Sequence, residues 1–242
     1  MDAKPTVVVC RAAAQAGPLI ADLEALGGAV VALPLAEVVG PADPAPLAAA
    51  VAELDRYRWV AFTSSNAVAA FAGAVAPGAQ PAGLSVATVG AATSAAVRDA
   101  GWRVDVEASP ATAADLAARL VVDHAPARLL APLAELAGDD LVAPLRAAGW
   151  DVIRVEAYRT ITPQHPDALL DAAATADLVC LTAGSLAERL VAALGGRRHP
   201  PVVCIGPSTA TVARDLGLDV VAIAEPHDRA GLVAAVANTL RP

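Results

Sequence analysis

The feature that most constrains this chain is that it repeats itself. Gly90 and Gly206 stand 116 positions apart inside matching stretches, Ser85–Ala95 and Val202–Ala210, and the same offset carries Thr93 onto Thr209 and Gly101 onto Gly217. Upstream, Trp59–Ser65 parallels Leu178–Ser185, and Leu19–Gly27 matches Leu141–Gly149 at an offset of 122. Such self-similarity implies two related halves, and 242 residues suffice for two small domains.

Each half reads as a β-α series: a short Val/Leu-rich strand, a turn holding Gly, Ser, Thr or Asn, then an Ala/Leu helix. Thr93 or Ser94 is placed to cap the N-terminus of one helix that Gly101 would end in the left-handed conformation. Thr209 and Gly217 are expected to do the same in the second half. Strands alternating with helices imply parallel sheets covered on both faces. Only 3% of residues are aromatic against 56% hydrophobic, so the core must be built from Ala, Val and Leu. Extended segments ending at a proline, 33–41 and 155–163, are expected to be connectors between lobes.

The same sequence argues against several classes of function. Pro, Asp, Glu or Arg interrupts every apolar run before the roughly 18 residues needed to span a bilayer. The start, Met1 to Pro5, lacks the basic and apolar regions of a signal peptide, so a cytoplasmic protein is expected, with no membrane partner. A formal charge of −8 with no basic stripe disfavours nucleic acid. Cys10, Cys180 and Cys204 each lie in an apolar strand-like run without CxxC spacing and read as core residues. His124, His165, His199 and His227 lie near Pro or Asp and form no ligand pair, which suits surface loops. No GxGxxG, GxxxxGK[ST] or GxSxG pattern and no metal-cage spacing of carboxylates occurs, so no cofactor is expected.

What the pattern does offer is four hydroxyl- or amide-bearing turns between strand and helix: Thr63 to Asn66, Gly90 to Thr93, Thr182 to Ser185 and Gly206 to Thr209. In an open parallel sheet such turns lie at the carboxyl ends of strands, where helix N-H groups and dipoles attract anions. Any one of them reads equally well as plain helix capping. Four at equivalent places point to a site for carboxylate or phosphate. Sixteen of the 17 basic residues are arginine, which suits a polyanionic ligand, although codon bias gives the same composition.

These turns also carry a resemblance. Phe62–Val68, Val89–Thr93, Val155–Thr160 and Ile205–Ala210, in that order and spacing, resemble successive signatures of the uroporphyrinogen-III synthase family, as does Arg11 after the first strand. The resemblance covers nearly the whole chain. It implies an α/β fold of two doubly wound parallel-sheet lobes (flavodoxin- or Rossmann-like) joined by a two-stranded connector: residues 1–36 with 162–242 in one lobe, 40–156 in the other. It also implies a monomer whose substrate is a linear tetrapyrrole octacarboxylate, hydroxymethylbilane, closed without cofactor to uroporphyrinogen III, with loss of water and inversion of one pyrrole ring.

On that resemblance Tyr158 is the candidate catalytic acid, since a phenol beside a leaving oxygen can donate a proton. Arg11, Thr63, Ser64, Asn66, Gly90, Thr93, Arg159, Thr182, Ser185, Gly206, Ser208 and Thr209 are candidate substrate-binding residues, and Arg189 a further possible carboxylate partner. Catalysis would be mostly positioning and electrostatics. One segment departs from the family pattern: where many relatives carry Gly and a basic residue, Ala131–Asp140 is acidic and lacks arginine. Two alternatives therefore stay open, a cofactor-free relative with another substrate and a non-catalytic bilobed module binding small anions or tetrapyrroles.

Overall fold

The computed structural model describes residues 4–11, 13–75 and 80–240. The extreme N-terminus, on which the expectation of no leader partly rests, lies outside them. In chain order the elements are β1 (Thr6–Val9), α1 (Ala13–Ala25), β2 (Ala29–Ala32), β3 (Glu37–Val39), α2 (Ala45–Ala52), β4 (Trp59–Phe62), α3 (Ser65–Ala74), β5 (Ser85–Val89), α4 (Gly90–Asp99), β6 (Val106–Ala108) and α5 (Ala113–Asp123). There follow β7 (Arg128–Ala134), α6 (Val142–Ala147), β8 (Asp151–Ile161), α7 (Asp167–Ala174), β9 (Leu178–Leu181), α8 (Gly184–Leu194), β10 (Val202–Cys204), α9 (Pro207–Asp215), β11 (Val220–Ile223) and α10 (Arg229–Thr239). Short Val-rich runs thus become strands and Ala/Leu runs become helices, as period and propensity dictate.

The chain divides into two compact units, residues 1–37 with 161–242 and residues 38–160. The first holds a sheet of order β11-β10-β9-β1-β2, parallel throughout. Its central strands β1, β9 and β10 are buried on both faces, which is why they read as unbroken apolar runs. On one face Val7, Val9 and Cys180 pack under Leu19 and Leu23 of α1 and Leu232 and Val236 of α10. On the other, Val8, Cys10 and Cys204 pack under α7, α8 and α9 through Ala173, Leu186, Leu190 and Ala210. All three cysteines are buried, and desolvation is the main reason their thiols are held well above the ordinary range, Cys180 at about 12 and Cys204 at about 11.

The second unit holds a sheet of order β3-β8-β7-β4-β5-β6, with β8, β7, β4, β5 and β6 parallel. Leu116 and Leu120 of α5 and Leu145 of α6 cover one face. Leu47 of α2, Val68 and Phe71 of α3 and Val97 of α4 cover the other. Of the segment 33–41 only Glu37–Val39 is strand, while β8 begins at Asp151 and runs eleven residues to Ile161. Pro34 lacks an N-H, yet its neighbours still bond across, Leu33 N-H to Val9 O and Leu35 N-H to Cys10 O.

Two helix starts differ from the capping expectation. Helix α4 begins at Gly90 itself with Val89 at the N-cap, and α9 begins at Pro207 with Gly206 at the N-cap; neither cap is a side chain. Thr93 and Thr209 therefore lie within the first turn, 4% and 3% exposed. Their position three residues after the glycine turns them into the core instead of back to the helix end. The helix ends do behave as the glycines suggested: Gly101 has φ +83° and Gly217 φ +77°.

Candidate active site

In the second unit, β4 is followed in sequence by β5 and β6 to one side, and the chain then returns to place β7 and β8 on the other. The carboxyl ends of β4 and β7 thus flank a topological switch point, the place where open α/β sheets take their ligands. Thr63 and Ser64 leave β4 there, and Ser64 caps α3, its Oγ accepting from Ala67 N-H at 3.2 Å. The same Oγ lies 3.0 Å from the Tyr158 hydroxyl. Thr63, Ser64, Asn66 and Tyr158 are all half-buried, so the polar groups of this turn sit between core and surface.

Tyr158 reaches that position through an irregularity in β8. Leu133 pairs with Glu156, but the next residue, Ala134, pairs with Tyr158, leaving Ala157 as an extra residue. A bulge of this kind re-aims the following side chain and is over-represented beside active sites. The ring packs against the apolar layer that holds Phe62 and Val68, and the hydroxyl meets Ser64. Arg159, next in the strand, is half-buried, and its Nε is buried without a hydrogen-bond partner. A buried guanidinium N-H left unpaired is costly, and a carboxylate is the acceptor it fits best.

At the end of β5, the strand beside β4, Gly90 has φ +76°, and a Cβ there would stand 2.9 Å from Ala111 Cβ. The turn therefore admits only glycine, for reasons both of backbone and of space. Behind it lies a network that sequence reading missed. Ser94 Oγ is 2.7 Å from Thr88 Oγ1 and donates to Glu107 Oε2 at 2.5 Å, with Thr88 and Ser94 both wholly buried. A hydroxyl within the helix, four residues after Gly90, was the available signal.

The first unit has its own switch point, because β1 is flanked by β2 and β9. Arg11 follows β1, and Thr182 follows β9; both are half-buried. Ser185 and Ser208 are exposed in the first turns of α8 and α9. No side chain caps α4, α8 or α9, so their leading N-H groups are left to an external acceptor or to water. Gly206, which the repeat aligns with Gly90, is unlike it: its φ is −168°, ordinary extended backbone, and a Cβ would meet only His227, at 3.7 Å. Arg189 donates to Thr162 Oγ1 within the same unit. Several other arginines are taken up by neighbouring acids, Arg56 by Glu53, Arg119 by Asp123 and Arg197 by Asp167 and Asp171.

Among the described residues there is no cluster of three or more His, Cys, Asp or Glu able to hold a metal, and no helix long and apolar enough to cross a membrane.

Comparison with known proteins bears on this arrangement. The family model described as uroporphyrinogen-III synthase HemD matches residues 17–234. A uroporphyrinogen-III synthase of Synechococcus elongatus is 29% identical over 254 residues, covering 98% of this chain and 96% of that one. The chloroplastic uroporphyrinogen-III synthase of Oryza sativa subsp. japonica is 27% identical over 247 residues, covering 98% and 81%. In fold, the chain resembles uroporphyrinogen III synthases of Helicobacter pylori (TM-score 0.62, 16% identity, 98% and 100% covered) and of the extreme thermophile Thermus thermophilus (TM-score 0.60, 17% identity, 98% of each).

Proposed function

This chain belongs to the uroporphyrinogen-III synthase family, and we propose that it closes hydroxymethylbilane to uroporphyrinogen III without metal or nucleotide, with Tyr158 assisting departure of the terminal hydroxyl. The observation that carries this reading is the 3.0 Å contact of Tyr158 with Ser64 at the β4 end of the switch point. There Ser64 Oγ already takes a hydrogen bond from the Ala67 N-H, and its own proton can be given to the phenol oxygen. A phenol so supported donates its proton more readily to a leaving hydroxyl, which then departs as water.

The remaining work is to hold a flexible octacarboxylate so that the activated end attacks at the substituted carbon. Main-chain N-H groups at the starts of α4, α8 and α9, with Arg11 and Arg159, supply charge-assisted contacts suited to that task. Thr63, Asn66, Thr182, Ser185 and Ser208 add hydroxyl and amide groups at strand ends of the same kind. Thr93 and Thr209 are buried, so their part is packing beneath the turns. A cytoplasmic monomer completes the reading.

The test is to generate the bilane in place, add the protein, and separate the product isomers after oxidation. An excess of type III supports the reading. A product mixture equal to the protein-free control removes it and favours a binding module.

A further inference from the structure

Between β7 and α6 the chain forms a loop, Glu135–Leu141, at the second unit's switch point, and its most exposed apolar side chain is Leu136, 87% accessible. Exposure of this degree would be unremarkable on a slack loop. Here the backbone on both sides is held. Glu135 N-H donates to Tyr158 O at 2.9 Å and Ala137 N-H to Ala134 O at 3.1 Å. Arg154 reaches across from β8 and donates to Ala137 O at 2.7 Å and to Asp139 Oδ1 at 3.1 Å. The loop is thus fixed to the same strand that carries Tyr158, and what it presents to solvent is a leucine flanked by an acid.

We infer that Leu136 is a specificity-determining contact for a pyrrole ring of the substrate, an inference that rests on the proposed function. The chemistry of the loop selects that part of the ligand. Glu135 and Asp140 would repel an acidic side chain, and the loop offers no cation apart from Arg154, which is already committed to Ala137 and Asp139. An apolar side chain can cover the face of a ring, while a carboxylate beside it can accept from a ring N-H. The loop, acidic and without an arginine or lysine of its own, is on this account a ring-recognition lip and not a carboxylate clamp. Held against the backbone of Tyr158, it limits which ring can lie where the new bond forms.

The experiment compares Leu136→Met, Leu136→Ala and Leu136→Asp for kcat, KM and the fraction of type III product from the bilane, alongside thermal unfolding midpoints. An exposed side chain contributes little to folding, so all midpoints should match the wild type. Leu136→Met should keep near-normal turnover; Leu136→Ala should lose several-fold in kcat/KM, and Leu136→Asp roughly tenfold or more, from lost apolar contact and added repulsion. Both weakened variants should release more type I isomer. Wild-type turnover with all three variants within about twofold of it, and with an unchanged isomer ratio, would overturn the inference while leaving the proposed function intact. Wild-type product equal to the protein-free control would instead defeat the function and the inference together.

Discussion

The Tyr158 hydroxyl and the Ser64 Oγ lie 3.0 Å apart, although the residues are 94 positions apart in sequence. Replacing Tyr158 by Phe removes the acid and leaves the ring packing, so kcat should fall by up to roughly 10²-fold with the fold unchanged. Ser64→Ala should combine a smaller loss of kcat with about 1 kcal/mol of lost stability, since the same oxygen caps α3. Steady-state kinetics of both single variants and the double variant check this. If the hydroxyls work as a unit, the two effects on kcat are less than additive.

The two glycines that the repeat aligns should respond differently. Gly90→Ala must place a side chain at φ +76° and 2.9 Å from Ala111 Cβ, which should cost at least about 1–2 kcal/mol and displace the turn. Gly206→Ala meets neither obstacle and should fold normally. Thermal unfolding of the pair, with kcat/KM for whichever variants fold, measures the contrast.

Removal of the Ser94 hydroxyl should leave the wholly buried Thr88 hydroxyl short of a partner, while Glu107, 37% exposed and 4.0 Å from Arg98, can turn to solvent. Ser94→Ala should therefore lower stability by about 1–3 kcal/mol. Denaturant titration is the check, and kcat/KM of the folded fraction should stay close to normal because none of the three residues is among the groups proposed to hold the substrate.

Alternation of strand and helix was legible in this chain because apolar runs and Ala/Leu stretches alternate, and because Gly101 and Gly217 stop their helices through positive φ, a local property. Local chemistry misled at Thr93 and Thr209, where burial under the sheet outweighs the capping tendency of a hydroxyl. The repeat itself does not carry backbone conformation, since of the aligned pair Gly90 and Gly206 only Gly90 takes the left-handed one. The Ser64–Tyr158 contact depends on β7 and β8 lying beside β4 and on one extra residue in β8. Neither strand order nor register is written in a local pattern, so the two residues could be nominated singly but not as a pair. The Thr88–Ser94–Glu107 network was hidden for the same reason.

Burial raises the thiol pKa of Cys10, Cys180 and Cys204 in the folded protein, so the native state keeps those protons when the unfolded state has lost them. The stability they contribute is complete below the ordinary thiol range near about pH 8.5. It declines as pH rises towards the folded values, about 11 for Cys204 and about 12 for Cys180. Unfolding free energy measured by denaturant should therefore fall steadily above about pH 9. At neutral pH all three thiols should resist alkylation until the protein is unfolded.

The account stands most directly on turnover by the protein alone. The decisive measurement is the fraction of type III isomer formed from freshly generated bilane by exhaustively chelated and desalted protein, in a single turnover with enzyme in excess. The account predicts nearly complete conversion to type III at a rate unchanged by added metal or nucleotide. Type I product at the spontaneous rate, or type III formation restored only by an added metal or nucleotide, would contradict it.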